Sequence, residues 1–81
     1  MKQKLLKALE LANQGYWDAA HKTVQDIENE YAYWIHANLH REEGDISNSM
    51  YWYRRANKKF TEIDLMTERK LIMNDIEKNI N

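Results

Sequence analysis

Apolar and polar positions along this chain alternate with the period of an α-helix, and they predict five helices. In the first segment, Leu5, Leu9 and Ala12 fall on one helical face. The other segments also carry apolar residues every three or four positions, which places them in one stripe per helix. The chain has no Pro and only two Gly, so few residues would interrupt these helices. The predicted helices cover residues 2–13, 17–28, 30–43, 46–59 and 62–79.

The third and fifth predicted helices differ from a simple one-sided pattern. The third has residues suited to packing on two opposite sides, Ile35 and Leu39 on one and Ala37 and His40 on the other, which is typical of a central helix. The fifth carries a stripe of apolar residues interrupted by Arg69. We expect this helix to cover the end of the fold or, if its stripe stays partly exposed, to form a dimer surface. Its stripe comprises Leu65, Arg69, Ile72, Ile76 and Ile80, with Met66 and Met73 beside it.

One spacing pattern occurs twice, with the second copy 29 residues after the first. Each copy begins with a glycine suited to ending a helix in a left-handed conformation, and small residues stand where two helices would touch. Ala8 is expected to meet Ala20, and Ala37 to meet Ser49. Such self-similarity is typical of a helical repeat array. The two copies are Gly15, Trp17, Ala20, Val24 and Ile27, and Gly44, Ile46, Ser49, Tyr53 and Ala56.

The repeated unit resembles the helical hairpin of the tetratricopeptide-repeat (TPR) family over about residues 1–60. The resemblance implies TPR-like antiparallel hairpins at 1–29 and 30–60. Together with the length of the chain and the helical pattern of its last residues, this predicts an all-α single domain of residues 1–81 with a C-terminal capping helix at 61–81. Its period of 29 residues is shorter than the family's period of about 34. The family's closing Pro is also absent. The angle between the hairpins is therefore expected to differ from that of a typical array.

The TPR resemblance also implies a function, which is a small non-enzymatic module that binds a protein or peptide partner. The stretches from Trp34 to Asp45 and from Tyr51 to Ala56 further resemble a group of small bacterial proteins without an assigned activity. The sequence contains no nucleophile triad, no Gly-rich phosphate loop and no Cys motif, so neither enzymatic activity nor a cofactor is predicted.

Composition narrows the class of protein further. The net charge of −1 opposes nucleic-acid binding, which needs a positive field. No apolar run is long enough to span a membrane, and the first residues lack the features of a signal peptide, so a cytoplasmic protein is expected. In a chain of 81 residues without Cys, a thin core could be reinforced by self-association.

Three histidines form the first candidate site. His36 and His40 are four residues apart, which places both imidazoles on one helical face, as zinc-binding pairs require. Glu43 extends that face, and His21 could approach from the second helix. The alternative, which we favour from sequence alone, is that the histidines are half-buried structural residues hydrogen-bonded to Tyr or carboxylate groups.

A basic and aromatic face on the fourth helix forms the second candidate site. Tyr51, Arg54, Arg55 and Lys58 fall together there, with Trp52 at the flank. With His36 and His40, they are the residues predicted to bind a partner, since guanidinium groups beside rings can bind acidic peptides or phosphates. The alternative is a solvated face on which the cations stack on the rings. The nearby acids Glu42, Glu43 and Asp45 are better explained by helix capping and solvation than by acid–base catalysis.

Overall fold

A computed structural model describes all residues from 1 to 81 and shows five helices and no strands, which confirms the all-α class. No helix combines the length and the apolarity needed to cross a bilayer. The helices are α1 (Lys2–Asn13), α2 (Trp17–Val24), α3 (Glu30–Glu42), α4 (Ile46–Arg55) and α5 (Leu65–Asn79).

Three of the helices end in the same way, with one residue in the left-handed conformation just after the helix. Gly15 (φ 87°) ends α1 and Gly44 (φ 84°) ends α3, as the sequence predicts. In both places the next residue's N–H donates back to a carbonyl of the last turn, from Tyr16 to Leu11 at 2.9 Å and from Asp45 to His40 at 3.0 Å. This is the Schellman arrangement, in which a left-handed residue lets the chain leave the helix with its carbonyls satisfied.

The same arrangement explains why α4 is shorter than expected. Asn57 adopts a φ of 59°, and the N–H of Lys58 donates to the Tyr53 carbonyl at 2.9 Å. The prediction that this helix continues to residue 59 is therefore wrong, because Asn57 tolerates the left-handed conformation and takes the place of a glycine.

Three other helix bounds also differ from the predicted ones, and the smallest difference is at α3, which ends at Glu42 and not at residue 43. Helix α5 begins at Leu65 and not at residue 62, because the carboxylate of Asp64 accepts the Thr67 N–H at 3.1 Å and acts as the N-cap. Helix α2 ends at Val24 and not at residue 28. After this connection, the side-chain oxygen of Asn29 accepts the N–H groups of Tyr31 and Ala32 and starts α3.

Helix α1 packs along α2, and α3 packs along α4. In the second pair the contacts run in opposite directions along the two helices, from Tyr33 beside Arg55 to Ala37 beside Ser49, so these helices are antiparallel. The hydroxyl of Ser49 donates to the Ala37 carbonyl at 2.8 Å, which confirms the predicted contact between two small residues. Ala8 and Ala20 are likewise completely buried, within one core cluster.

Helix α5 lies against α1 and α3, the first helix of each pair. Its Ile72 and Ile76 are fully buried in the common core, and Tyr31 on α3 donates a hydrogen bond to the Asp75 carboxylate at 3.3 Å. Met66 and Met73 remain exposed, at 58% and 40%. The fifth helix therefore uses only part of its apolar surface to close the fold.

A buried polar network fastens α5 to the rest of the molecule. Glu68 accepts hydrogen bonds from Tyr53 on α4 at 2.7 Å and from Trp34 and Asn38 on α3 at 3.0 and 2.8 Å. Arg41 also donates to Glu68 at 3.0 Å, so the buried carboxylate meets a half-buried cation. Every buried side-chain polar atom has a hydrogen-bond partner, which is the condition for such a network to favour folding.

The neighbouring Arg69 extends this network to α1. Its guanidinium donates to Asn38 at 2.8 Å, to the Ala12 carbonyl at 3.3 Å and to the carboxylate of Glu42. Arg69 therefore occupies the inward stripe of α5, as its spacing predicts, and it compensates for its own burial by joining the ends of α1 and α3.

Candidate functional site: a cluster of three histidines

The three histidines of the chain meet between α2, α3 and the start of α4. One ring nitrogen from each of His21, His36 and His40 lies within 4.8 Å of the other two. His36 and His40 are buried, whereas His21 is half-buried and faces the surface. The helical spacing of His36 and His40 supplies two of the imidazoles, and the packing of α2 on α3 supplies the third.

Two tryptophans stack on the imidazoles of His21 and His36. Trp17 lies parallel to His21, with ring centroids 4.9 Å apart and planes at 11°, and Trp52 lies parallel to His36 at 4.0 Å and 11°. Trp17 is itself fixed, because its indole N–H donates to the Leu39 carbonyl at 2.6 Å. Planar stacking of this kind restricts ring rotation, so the rings are oriented before any ligand arrives.

His40 is oriented by a carboxylate. Its Nδ1 lies 2.6 Å from Oε1 of Glu43, one turn along the same helix. The side-chain amide of Asn48 approaches its Nε2 at 3.4 Å as a donor. Both contacts favour the tautomer with the proton on Nδ1 and the lone pair on Nε2. A carboxylate on the far nitrogen is the usual support of a metal-binding histidine, because it fixes the ring and makes Nε2 more basic.

The environment keeps the other two imidazoles neutral. Burial lowers the pKa of His36 to about 3, and the neighbouring His21 and His40 add to the effect. Burial also lowers the pKa of His21, followed by the proximity of His40, against the opposing charges of Glu43 and Asp18. Near neutral pH both rings therefore carry an unprotonated nitrogen, which is the form that binds metal.

The ring nitrogens of His21 and His36 have no protein hydrogen-bond partner, since the hydrogen bonds to imidazoles in the molecule all go to His40. No fully buried side-chain nitrogen or oxygen lacks a partner. The free nitrogens of His21 and His36 are therefore not completely enclosed.

A second group that includes acids is better explained without an ion. His40, Glu43 and Asp45 also have potential ligand atoms within 4.8 Å of one another. Both acids are exposed, and Asp45 caps α4 by accepting the Asn48 N–H at 3.4 Å. The capping role predicted for Asp45 is thus confirmed. Glu43 contacts the histidine cluster through Nδ1 of His40. It does not belong to the group that His21, His36 and His40 form.

The residues predicted to bind a partner differ in their exposure and contacts. The guanidinium of Arg55 lies over the Tyr33 ring at 4.4 Å and near Trp52 at 5.1 Å, while Lys58 lies over the Trp34 ring at 4.3 Å. These are the cation–π contacts of the alternative interpretation. Tyr51 and Arg54 are exposed, whereas His36 and His40 are buried and Trp52 is half-buried against His36.

Sequence reasoning missed part of this site. It used Trp17 as a core position and Trp52 as a flank of a surface face, although both enclose the histidines. The available signal was the position of Trp17 four residues before His21, which puts the two rings on one helical face. No local signal connects Trp52 to His36, because they lie on different helices.

Comparisons with protein-family profiles, with curated proteins and with solved structures find no match to this chain.

Proposed function

We propose that this protein binds a divalent transition-metal ion through His21, His36 and His40. The observation that carries the proposal is the convergence of three ring nitrogens to within 4.8 Å of one another. These are the chain's only histidines, and they come from two different helices. Three neutral imidazoles are a donor set suited to Zn²⁺, Cu²⁺ or Ni²⁺.

The spacing of the nitrogens fits an ion after a small closure. Zinc–nitrogen bonds of about 2.0–2.1 Å in tetrahedral geometry place ligand nitrogens roughly 3.3 Å apart. The observed limit of 4.8 Å therefore requires an inward movement on the order of 1 Å. His21 is the least buried of the three histidines, so its side chain has the most freedom to move, within the limit that its stacking on Trp17 sets.

Electrostatics supports the same function. Without an ion, protonation of His36 is opposed first by burial and then by the proximity of His21 and His40, which lower its pKa to about 3. A metal ion avoids the repulsion between protonated rings, because one cation accepts the lone pairs of all three neutral imidazoles. Glu43 places a negative charge at Nδ1 of His40, which would stabilise a cation bound at Nε2 in place of the Asn48 amide.

The direct test uses the untagged full chain. Isothermal titration with Zn²⁺, followed by elemental analysis after gel filtration, is expected to give about one equivalent per chain. His36→Ala and His21→Ala are expected to abolish binding, whereas Lys22→Ala is a matched control, because Lys22 follows His21 on α2 and is exposed. Metal below about a tenth of an equivalent in the wild-type protein would refute the proposal.

A protein-interaction role is a second candidate function, and one surface favours it. A groove of about 660 Å³ between α1 and α5 exposes the side chains of Leu6, Met66 and Met73. Charges of both signs stand around it, Glu10 and Glu77 as well as Lys70, which suits a two-fold contact with a second copy of this chain. Light scattering at high micromolar concentration is expected to show a dimer that Met73→Glu disrupts. A strictly monomeric mass would exclude self-association through this groove.

A further inference from the structure

The histidine cluster offers three protein ligands and no fourth one. The chain contains no Cys, and its His residues are all used. Of the three histidines, only His40 has a ring nitrogen grouped with the nearby carboxylates of Glu43 and Asp45. Glu43 already contacts Nδ1 of that ring. Zinc sites that serve structure have four protein ligands, whereas three protein ligands leave one position for an exchangeable molecule.

The surroundings of the cluster limit where such a molecule can enter. Trp17 stacks on His21 and Trp52 stacks on His36. Both present apolar rings, which cannot coordinate a metal. His36 and His40 are buried, and the cluster meets the surface at the half-buried His21. The approach to the remaining coordination position is therefore from the side of His21.

The charge of the donor set indicates which molecule would be preferred. Three neutral imidazoles leave the two positive charges of the ion uncompensated among its direct ligands. The carboxylate of Glu43 is already engaged, because its Oε1 lies 2.6 Å from Nδ1 of His40. A small anion in the fourth position would neutralise part of this charge, and the ion dominates the local field.

We infer that the bound metal takes a small monodentate anion as its fourth ligand, so that the site is an open anion-binding centre and not a closed structural one. This inference rests on the proposed metal binding. The second ligand is an anion with an oxygen or nitrogen donor atom. Binding this anion gives the protein a function beyond holding the ion.

Cobalt substitution tests the open position directly, because Co²⁺ binds zinc sites and its visible absorption bands report the coordination of the ion. The untagged chain is loaded with Co²⁺ alone and then titrated with sodium azide. The expected result is a saturable shift of the visible bands with one azide per cobalt. Sodium perchlorate at the same ionic strength is the control for salt effects and is expected to leave the bands unchanged.

The variant Glu43→Gln separates an open position from one closed by the protein. If the position is open, wild type and Glu43→Gln both respond to azide. An azide response only in Glu43→Gln would show that Glu43 fills the fourth position and would overturn the inference. Cobalt bands that azide leaves unchanged in both proteins would also overturn it while metal binding stands. A protein that takes up no Co²⁺ would contradict both the metal proposal and this inference.

Discussion

Glu68 is the residue whose replacement tests the buried network most sharply. Its carboxylate is 2% exposed and accepts hydrogen bonds from four side chains on two helices. Oε1 serves Asn38 at 2.8 Å and Arg41 at 3.0 Å, while Oε2 serves Trp34 at 3.0 Å. Tyr53 lies 2.7 Å from both oxygens. Glu68→Gln keeps the shape of the side chain but replaces one acceptor by a donor and removes the charge.

The magnitude follows from the least unfavourable orientation of the new amide. Oxygen in place of Oε1 preserves the bonds from Asn38 and Arg41, and the amide nitrogen then faces the indole N–H of Trp34. One buried donor without an acceptor costs about 1–3 kcal/mol. Arg41 also loses its counter-charge, and because Arg41 is only half-buried this costs less than the about 3–5 kcal/mol of a fully buried ion pair. Because the Arg41 hydrogen bond survives, we expect a total loss of about 3 kcal/mol.

Urea unfolding measures this loss as a free energy and thermal unfolding measures it as a melting temperature, both followed by far-UV circular dichroism. For a domain of this size each kcal/mol lowers the melting temperature by about 4–8 °C, so the expected decrease is about 12–24 °C. The matched control is Glu77→Gln on the same helix, where the carboxylate pairs with Lys2 at 2.9 Å in an exposed position. It is expected to cost no more than about 1 kcal/mol. If the two variants lose the same stability, the network does not fasten α5.

Three further predictions concern the histidines and the helix ends. The pKa of His36 is lowered to about 3, so between its ordinary value and that point the unfolded chain binds a proton that the folded one does not. Stability should therefore fall with acid at up to about 1.4 kcal/mol per pH unit below pH 6.5, and urea unfolding at pH 7 and 5 should show a smaller loss for His36→Gln; equal losses would contradict this origin. Zn²⁺ at roughly a hundred times its dissociation constant should stabilise the wild-type protein by about 2.7 kcal/mol in thermal unfolding, whereas His36→Ala should show no shift. Gly15→Ala should cost about 1–2 kcal/mol through its positive φ alone, because an added Cβ meets no atom within 4 Å; Gln14→Ala, at the preceding exposed position, is the control, and equal melting temperatures would contradict the conformational explanation.

The helical spacing of apolar residues predicted the number of helices correctly. The helix bounds that it predicted wrongly have local causes. The five helices and the two glycine stops are readable because apolar spacing and backbone conformation act over a few residues. The end of α4 was missed because Asn57 takes a left-handed conformation that glycine more often supplies, and the start of α5 was missed because Asp64 competes with earlier residues as the cap. The TPR resemblance and the partner-binding role stay predictions.

Within the candidate site, contacts inside one helix could be predicted from the sequence, whereas contacts between helices could not. The pairing of His36 with His40 and the reach of Glu43 to His40 follow from residues three or four apart on one helix. The convergence of His21 with them, and the stacking of Trp52 on His36, depend on how whole helices pack. A sequence read alone cannot give the relative rotation of two helices, and that rotation decides whether three imidazoles converge or point apart.

The sequence by itself determined the helices, the left-handed glycines that end two of them and the inward positions of the small residues. Each of these depends on interactions within a few residues, which any chain with the same order would make. Only the tertiary structure decided that Glu68 and Arg69 are buried among partners and that the third histidine completes a cluster. Those outcomes depend on desolvation and on contacts between residues up to 57 positions apart. They arise when separate helices share one interior, where a charge or a lone pair must find a partner.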